Sequence, residues 1–289
     1  MRVMVTGAGG QIGREVVAVC SARGDDVIAC DRAALDVGDR DAVLGAITSL
    51  RPAIVVNGAA WTAVDACESD PSRAFDQNAL AVRWLAEACR RAGAHFVHLS
   101  TDYVFNGNLD RPYVEWDATD PRSVYGRSKR AGELEALSID PGATVIRTSW
   151  VCGSHGSNVV KTILRLATER TDLAFVDDQR GHPTFAADLA VALRRLAVDR
   201  IPGVVHVTNQ GAVSWYEFAR AVMSAAGHDP SRVRPIGTAD LDPPRPAFRP
   251  ANSVLANEVL RLAGYPLLAD FHEPLRGLVA QLTGDELTG

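Results

Sequence analysis

Short apolar runs alternate along the first half of the chain with longer segments whose apolar residues recur at helical spacing. Runs of this length are typical of buried parallel strands, and the segments between them are typical of helices that cover a sheet. The predicted strands are residues 2–6, 26–30, 53–56, 95–99 and 144–147. The predicted helices are a run to about residue 23 and residues 39–50, 71–92 and 123–138. This alternation predicts an α/β fold, a doubly wound parallel sheet of the Rossmann type.

The regularity weakens after about residue 150. A strand is predicted at 173–176, a turn at 177–183, and a strand at 204–207 that could return to the main sheet. Further helices are predicted at 157–170, 184–198 and 214–226, and a proline-rich connector at 242–250 precedes two short terminal helices. The interleaving predicts a smaller C-terminal lobe built from insertions, which we expect to bind the substrate.

A glycine-rich turn, Gly7-x-x-Gly10-x-x-Gly13, joins the first predicted strand to the first helix. Glycine permits positive φ and close approach of the backbone to a pyrophosphate, and the N-terminus of a helix attracts the anion. Asp31 follows the second predicted strand, where a carboxylate can bind an adenosine ribose. The adjacent Arg32 could pair with a 2′-phosphate. The segment therefore predicts a dinucleotide site that accepts NADPH or NADH.

These patterns give a domain division. We assign residues 1–150 to a dinucleotide-binding Rossmann domain, with later returns near 203–228. We assign residues 151–289 mainly to a substrate-binding lobe that is interleaved with the first domain.

Candidate acid chemistry lies after the fourth predicted strand. Thr101 follows that strand directly, and the predicted helix 123–138 places Tyr125 and Lys129 one turn apart on the same face. A tyrosine has a reference pKa of about 10, and a neighbouring ammonium is expected to draw that pKa toward the working range of a general acid. The alternative is that Tyr125 and Lys129 are unrelated surface residues, but only about 0.03 Tyr/Lys pairs with this spacing are expected by chance in such a chain.

Composition narrows the class of protein. The 289 residues are 47% apolar and 22% charged, values that exclude a disordered or fibrous chain. The net charge of -5 provides no basic surface for nucleic acid. The apolar start breaks at Gly7, too early for a signal peptide, and no apolar run approaches membrane-spanning length. We expect a cytoplasmic protein without a membrane or nucleic-acid partner.

Cysteines and histidines add no metal signature. The five cysteines lie at 20, 30, 67, 89 and 152, with no Cys-x-x-Cys pair, and are expected to be small core residues in a reducing compartment. His95, His98 and His206 fall in predicted strands without the spacing of metal ligands, so we assign them structural roles.

Seven segments together resemble the extended branch of the short-chain dehydrogenase/reductase family, and within it the reductases of dTDP-linked 4-keto-6-deoxysugars. They are GAGGQIG at 7–13, NGAAWTAVD at 57–65, STDYVF at 100–105, YGRSK at 125–129, RTSW at 147–150, DQRGHPT at 178–184 and RPANS at 249–253. The resemblance covers nearly the whole chain.

The resemblance implies a role for each matching residue. The expected cofactor contacts are Gly7, Gly10, Gln11, Ile12, Gly13, Asp31, Arg32, Asp36, Val37, Ala60, Trp61, Thr62, Tyr125 and Lys129. The expected substrate contacts are Thr101, Asp102, Tyr103, Trp150 and Arg249. The expected catalytic residues are Thr101, Tyr125, Lys129 and Asp102. Trp150 could equally be a core residue, since an indole beside a strand usually is.

The family often pairs two subunits around magnesium held by glutamates. Glu15 matches one of those positions, but segment 185–188, Phe-Ala-Ala-Asp, lacks the second. We therefore expect no metal, and either a monomer or a homodimer.

The activity that the resemblance implies is reduction of the 4-keto group of dTDP-4-dehydro-6-deoxy-L-mannose to dTDP-L-rhamnose, in nucleotide-sugar and cell-surface carbohydrate biosynthesis. One alternative is a 4-ketoreductase for another dTDP-deoxysugar. A dehydratase is less favoured, because Tyr103 stands where those relatives have Glu. A non-catalytic dinucleotide-binding regulatory subunit is the alternative of a different class, and the Tyr125 and Lys129 pair argues against it.

Overall fold

The computed structural model describes residues 1–284 and is organised around one six-stranded sheet in which every pairing is parallel. Its strands are β1 (Arg2–Thr6), β2 (Asp26–Cys30), β3 (Ile54–Asn57), β4 (His95–Thr101), β5 (Thr144–Thr148) and β10 (Gly203–His206). Their order across the sheet is β10-β5-β4-β3-β1-β2. The carboxyl ends of all six strands therefore meet at one edge.

Helices cover both faces of this sheet, as the alternation predicted. They are α1 (Gln11–Ala22), α2 (Arg40–Leu50), α3 (Val64–Ser69), α4 (Pro71–Phe75), α5 (Ala81–Ala92) and α6 (Val124–Ile139). Strand β1 shows why two layers form: Val3 and Val5 pack with α1 on one face, and Met4 packs with α2 and α5 on the other. Each side chain buried in this way contributes about 1.5–3 kcal/mol. The doubly wound α/β fold is confirmed.

The predicted helix 71–92 is not regular throughout. A π-helical segment, Asp76–Leu80, separates α4 from α5. It brings the buried amide of Asn78 to the backbone of Trp61, with 2.8 Å from the Trp61 N–H to Oδ1, and to the Ser128 hydroxyl at 3.0 Å. Helix α6 packs closely against this segment: a Cβ added to Gly132 would lie only 2.2 Å from the Asn78 carbonyl oxygen. Such contacts between distant segments leave no periodic signal in a sequence.

The remaining elements form the second half of the chain. They are β6 (Val151–Cys152), α7 (Val159–Glu169), β7 (Leu173–Val176), β8 (Arg180–Gly181), β9 (Thr184–Phe185), α8 (Ala186–Asp199), β11 (Val213–Ser214), α9 (Trp215–Ala225), β12 (Val233–Ile236), α10 (Glu258–Leu262) and α11 (His272–Thr283). Strand β12 and the two-residue strands were not predicted, since such short runs carry too little pattern.

This half contributes to two cores. Helix α8 packs on α1 beneath the main sheet. Helices α7, α9 and α11 enclose a separate apolar cluster that includes Phe218 and Phe271. A capping box of Ser214 and Glu217 begins α9, and such caps are worth about 1 kcal/mol.

All five cysteines are buried and unpaired, as expected of small core residues. Within residues 1–284, no helix has the length and apolar character needed to cross a membrane.

Candidate active site

The glycine turn after β1 is a tight backbone cradle. Gly7 has φ of +67°, and a Cβ there would lie 2.6 Å from the Ala59 nitrogen. A Cβ on Gly13 would lie 2.2 Å from the Gly7 carbonyl oxygen. No side chain caps the N-terminus of α1, whose N-cap is Gly10. The turn therefore leaves backbone N–H groups open to an anion, which fits the pyrophosphate of a dinucleotide.

A cleft of about 340 Å³ opens beside this turn. The predicted adenosine residues Asp31, Arg32, Asp36 and Val37 line it, together with Gly7, Gly10, Ala60 and Trp61. Oδ1 of Asp31 accepts the backbone N–H groups of Ala33 (3.0 Å) and Ala34 (2.9 Å), which orients the carboxylate at the end of β2. The Arg32 side chain is 70% exposed and only 4.0 Å from Asp36, so it is held weakly.

A second space of about 470 Å³ continues the cleft across the carboxyl ends of the strands. It shares Gly10 and Ala60 with the first. The predicted residues that line it are Gln11, Ile12, Gly13, Thr62, Thr101, Asp102, Tyr103, Tyr125, Lys129 and Trp150. The structure thus brings every predicted cofactor and substrate residue to one continuous cleft, with one exception.

The exception is Arg249. Its guanidinium forms a bidentate ion pair with Asp65, at 2.6 and 2.9 Å, and lines neither large part of the cleft. The Asp65 carboxylate also accepts the N–H of Ala247 at 3.1 Å. Arg249 therefore fastens the proline-rich connector to the first turn of α3, a contact between residues 184 positions apart. Asp65 lies in a predicted motif, but nothing in the sequence paired it with Arg249.

Helix α6 presents the Tyr125 and Lys129 pair. The Ser123 side chain accepts the N–H of Gly126 and begins the helix, which places Tyr125 in its first turn. Both side chains are buried, and Lys129 Nζ donates to the Leu99 carbonyl at 2.6 Å. Burial lowers the pKa of Lys129 to about 8, although the Glu133 charge opposes this shift.

Burial raises the pKa of Tyr125 above its usual value, and the interaction with Thr101 opposes this shift only in part. We expected the neighbouring lysine to draw this pKa downward. That expectation is wrong for the protein alone, because desolvation of the phenolate is the largest influence and the Asp102 charge adds to it. Tyr125 consequently holds its proton at neutral pH.

Asp102 is buried at the end of β4. Burial raises its pKa to about 6. Its Oδ1 accepts the Thr101 hydroxyl at 3.0 Å, and its Oδ2 has no hydrogen-bond partner among residues 1–284. An unpartnered buried oxygen that faces a cleft is available to a ligand.

Aromatic side chains form the other wall. Tyr103 meets the Tyr125 ring edge-on at 5.6 Å. Trp150 has φ of +46°, an uncommon value for an aromatic residue, and stacks on Trp215 at 3.5 Å with 9° between the planes. Trp215, which lines the cleft from the start of α9, was not predicted. Nor was Arg73, whose guanidinium lies over the Trp61 ring in the first part of the cleft.

The metal expectation concerns Glu15. Its carboxylate lies 3.4 Å from the Ser154 hydroxyl and 3.9 Å from the His155 ring. Among residues 1–284 there is no group of three or more His, Cys, Asp or Glu side chains that could hold a metal ion.

Comparisons with known proteins identify the family. The family model described as "RmlD substrate binding domain" matches residues 1–283. The chain is 44% identical to a dTDP-4-dehydrorhamnose reductase of Streptomyces griseus over 98% of this chain and 92% of the relative. It is 45% identical to a probable dTDP-4,6-dihydroxy-2-methyloxan-3-one 4-ketoreductase of Streptomyces antibioticus, over 96% of this chain and 94% of that protein.

Solved structures agree as well. A dTDP-4-dehydrorhamnose reductase of Clostridium acetobutylicum superposes with a TM-score of 0.95 at 36% identity, covering 98% of this chain and 100% of the other. One of Bacillus anthracis in complex with NADP has a TM-score of 0.93 at 35% identity, covering 97% and 99%. The chain belongs to the dTDP-4-dehydrorhamnose reductase family, within the extended short-chain dehydrogenases/reductases.

Proposed function

We propose that this protein reduces the 4-keto group of dTDP-4-dehydro-6-deoxy-L-mannose to the hydroxyl of dTDP-L-rhamnose, with NADPH or NADH as the reductant. The observation that carries the assignment of roles is that the buried Tyr125 lines the same cleft as Lys129, Thr101 and the uncapped glycine turn.

The cradle fits the cofactor, because the close backbone packing at Gly7 and Gly13 excludes side chains there and the uncapped N-terminus of α1 leaves its N–H groups open to a pyrophosphate. Gly10, Gln11 and Ile12 would hold the pyrophosphate, and Asp31, Arg32, Asp36 and Val37 the adenosine. Ala60, Trp61, Thr62 and Lys129 would flank the nicotinamide, which supplies the hydride when bound.

Tyr125 supplies the proton. A hydride at the ketone carbon moves the carbonyl electron pair onto the oxygen, and the Tyr125 O–H bond breaks as a new O–H bond forms there. The phenol is protonated at neutral pH and so has a proton to give, although burial, by raising the pKa, makes it a weaker acid in the protein alone than an ordinary tyrosine. The Thr101 hydroxyl would orient the same oxygen. The products are an alcohol and an oxidised cofactor.

The substrate side is formed by both halves of the chain. Asp102 has a free buried oxygen for a sugar hydroxyl, and Tyr103 and Trp150 would pack on the sugar ring. Trp215, behind Trp150, would support that surface. We propose that Arg249 acts indirectly, by holding the first turn of α3 at Asp65. This division supports a substrate-binding role for the C-terminal lobe.

Another dTDP-linked 4-keto-6-deoxysugar is a second candidate substrate. The 45% identity to the Streptomyces antibioticus protein, which carries a different substrate in its name, favours it. The orientation of the sugar against the cofactor decides the configuration at C4, and the residues above are compatible with either.

One experiment separates the two. Purified protein is incubated with NADPH and, in parallel, with freshly generated dTDP-4-dehydro-L-rhamnose or dTDP-4-keto-6-deoxy-D-glucose, and products are identified by NMR. We expect dTDP-L-rhamnose, with kcat/KM at least tenfold higher for the first substrate. Turnover of the second alone would assign the protein to another deoxysugar.

Nucleotide-sugar reduction and five unpaired cysteines also support a cytoplasmic location.

A further inference from the structure

Below the cleft, the end of Lys129 meets a buried row of polar side chains that the mechanism above does not use. His98 Nε2 lies 3.4 Å from Lys129 Nζ. His98 Nδ1 lies 3.0 Å from Asn57 Nδ2, and the Thr6 hydroxyl lies 2.7 Å from Asn57 Oδ1. All four side chains are at most 2% exposed. A row so well shielded from water must satisfy its donors and acceptors internally.

Asn57 has only one consistent orientation in this row. The backbone N–H of Ala59 points at its Oδ1 from 3.1 Å, and a backbone N–H can only donate. The side-chain oxygen is thereby fixed, and the NH2 group must face His98. Since an amide NH2 also only donates, His98 Nδ1 must accept.

The tautomer of His98 follows from this contact. Burial lowers the pKa of His98 well below its usual value, and the Lys129 charge lowers it further, so the ring is neutral. A neutral imidazole that accepts at Nδ1 carries its proton at Nε2. That proton points toward Lys129 Nζ. The contact is a hydrogen bond only when Nζ is an amine with a lone pair, because an ammonium has donors alone.

We propose that His98 is a positioning residue for the reaction: its Nε2–H, fixed by Asn57, holds the Lys129 side chain in place and favours the neutral amine over the ammonium. The proposal rests on the proposed role of Lys129 in the same site. A lysine whose proton is held less tightly is better able to restore the proton that Tyr125 gives to the substrate oxygen. In that step an Nζ–H bond of the ammonium would break as the Tyr125 O–H bond re-forms, leaving the amine to which His98 Nε2–H donates, and a solvent proton entering through the cleft would then restore the ammonium.

The other charged side chain close to Lys129 raises its pKa and is itself paired with other residues. Glu133 lies one turn further along α6, and its charge raises the pKa of Lys129. That carboxylate, however, is paired with Arg147 at 2.7 Å and accepts the Ser100 hydroxyl at 2.6 Å. On the cleft side stand Tyr125, which is neutral, and Asp102, whose pKa burial raises to about 6. His98 is the neighbour whose hydrogen-bonding state depends on the proton of Lys129.

The native protein gives the first test, without any variant. Long-range ¹H–¹⁵N NMR spectra of the histidine rings distinguish the two neutral tautomers. The proposal requires the Nε2–H form for His98 at neutral pH. An Nδ1–H form, or a protonated ring, would overturn it.

The second test measures Lys129 itself. The chain contains two lysines, 129 and 161, so protein labelled with ¹³C at lysine Cε gives two signals, and Lys161→Arg identifies that of Lys129. His98→Asn keeps an acceptor for Asn57 but leaves nothing opposite Nζ. His98→Gln is the matched control, because its longer amide can donate to Nζ from near the Nε2 position.

We expect the titration midpoint of Lys129 to rise by about 0.7 pH unit in His98→Asn, which corresponds to the net value of one hydrogen bond. In His98→Gln it should stay within about 0.3 unit of the native midpoint. An unchanged or lower midpoint in His98→Asn contradicts the proposal. Equal rises in both variants do so too, since they would indicate water entering an enlarged space. These readings do not depend on turnover, so a wrong substrate assignment would leave them unaffected.

Discussion

The two ends of the cleft obtain their chemistry in different ways. At the adenosine end, the backbone turn at Gly7 and the carboxylate of Asp31 are set by residues within a few positions of one another. At the nicotinamide end, Tyr125, Lys129 and Asp102 are buried, and their pKa values depart from normal because of segments far away in the chain. Under the proposed function, local backbone geometry would bind the cofactor, whereas burial by distant segments would set the pKa of the acid. Substitutions at the two ends should therefore fail differently.

The largest effect is expected at Lys129, where the two functions meet. Lys129→Ala should lower kcat at least about 100-fold and also weaken cofactor binding, because one side chain serves both the acid and the nicotinamide side. Steady-state kinetics and fluorescence titration with NADPH measure the two losses. Lys161→Arg is the control, since Lys161 Nζ donates to the Ser154 and Gly156 carbonyls. A fall in kcat with unchanged NADPH binding would show that Lys129 does not contribute to cofactor binding.

The sequence predicts the features that neighbouring residues set and misses those that distant segments set. Gly7, Gly10, Gly13 and Asp31 were found because strand, turn and helix are contiguous, and Tyr125 and Lys129 because one helical turn joins them. The contact of Asn78 with Trp61, the Arg249 pair with Asp65, and the stacking of Trp215 on Trp150 were not found. Each of these joins segments between 17 and 184 residues apart, and periodicity carries no information on such distances.

The direction of the Tyr125 pKa shift was missed for a related reason. Residue spacing shows that a lysine is near, but the degree of burial depends on the whole fold. His98 illustrates the same limit, since a histidine in a strand looks structural until its two ring nitrogens are placed.

Asp102 should make stability depend on pH. Its folded pKa of about 6 lies above the usual 3.8, so its contribution is present below about pH 4 and is lost as pH rises through 6. Asp102→Asn should therefore be more stable than the native protein by roughly 2–3 kcal/mol at pH 8, with little difference at pH 4. Urea unfolding of both proteins across this range measures it. A difference that does not vary with pH would mean that folding does not raise the pKa of Asp102.

A smaller effect is expected at the adenosine end. Arg32→Ala should lower kcat/KM for NADPH by up to about tenfold and leave that for NADH nearly unchanged, because only the 2′-phosphate of NADPH pairs with the guanidinium. The native protein should use both cofactors. Ratios of kcat/KM for the two cofactors give the answer, and equal losses for both would make Arg32 an ordinary surface residue.

The smallest effect is expected from chelation. Segment 185–188 lacks the glutamate that would accompany Glu15 at a metal site, so EDTA should change neither activity nor the mass of the assembly. Light scattering and initial rates, with and without EDTA, measure this directly. Dissociation or loss of activity on chelation would establish a bridging metal.

The most direct test of the account is the rate of hydride transfer in a single turnover, with cofactor already bound, in Tyr125→Phe and Asp102→Asn. The donor acts chiefly in the transition state, so Tyr125→Phe should transfer hydride at least about 100-fold more slowly while binding NADPH normally. Asp102→Asn should lose less, because the amide keeps the position of the side chain. If Tyr125→Phe transfers hydride within about tenfold of the native rate and Asp102→Asn does not, then Asp102 rather than Tyr125 is the acid.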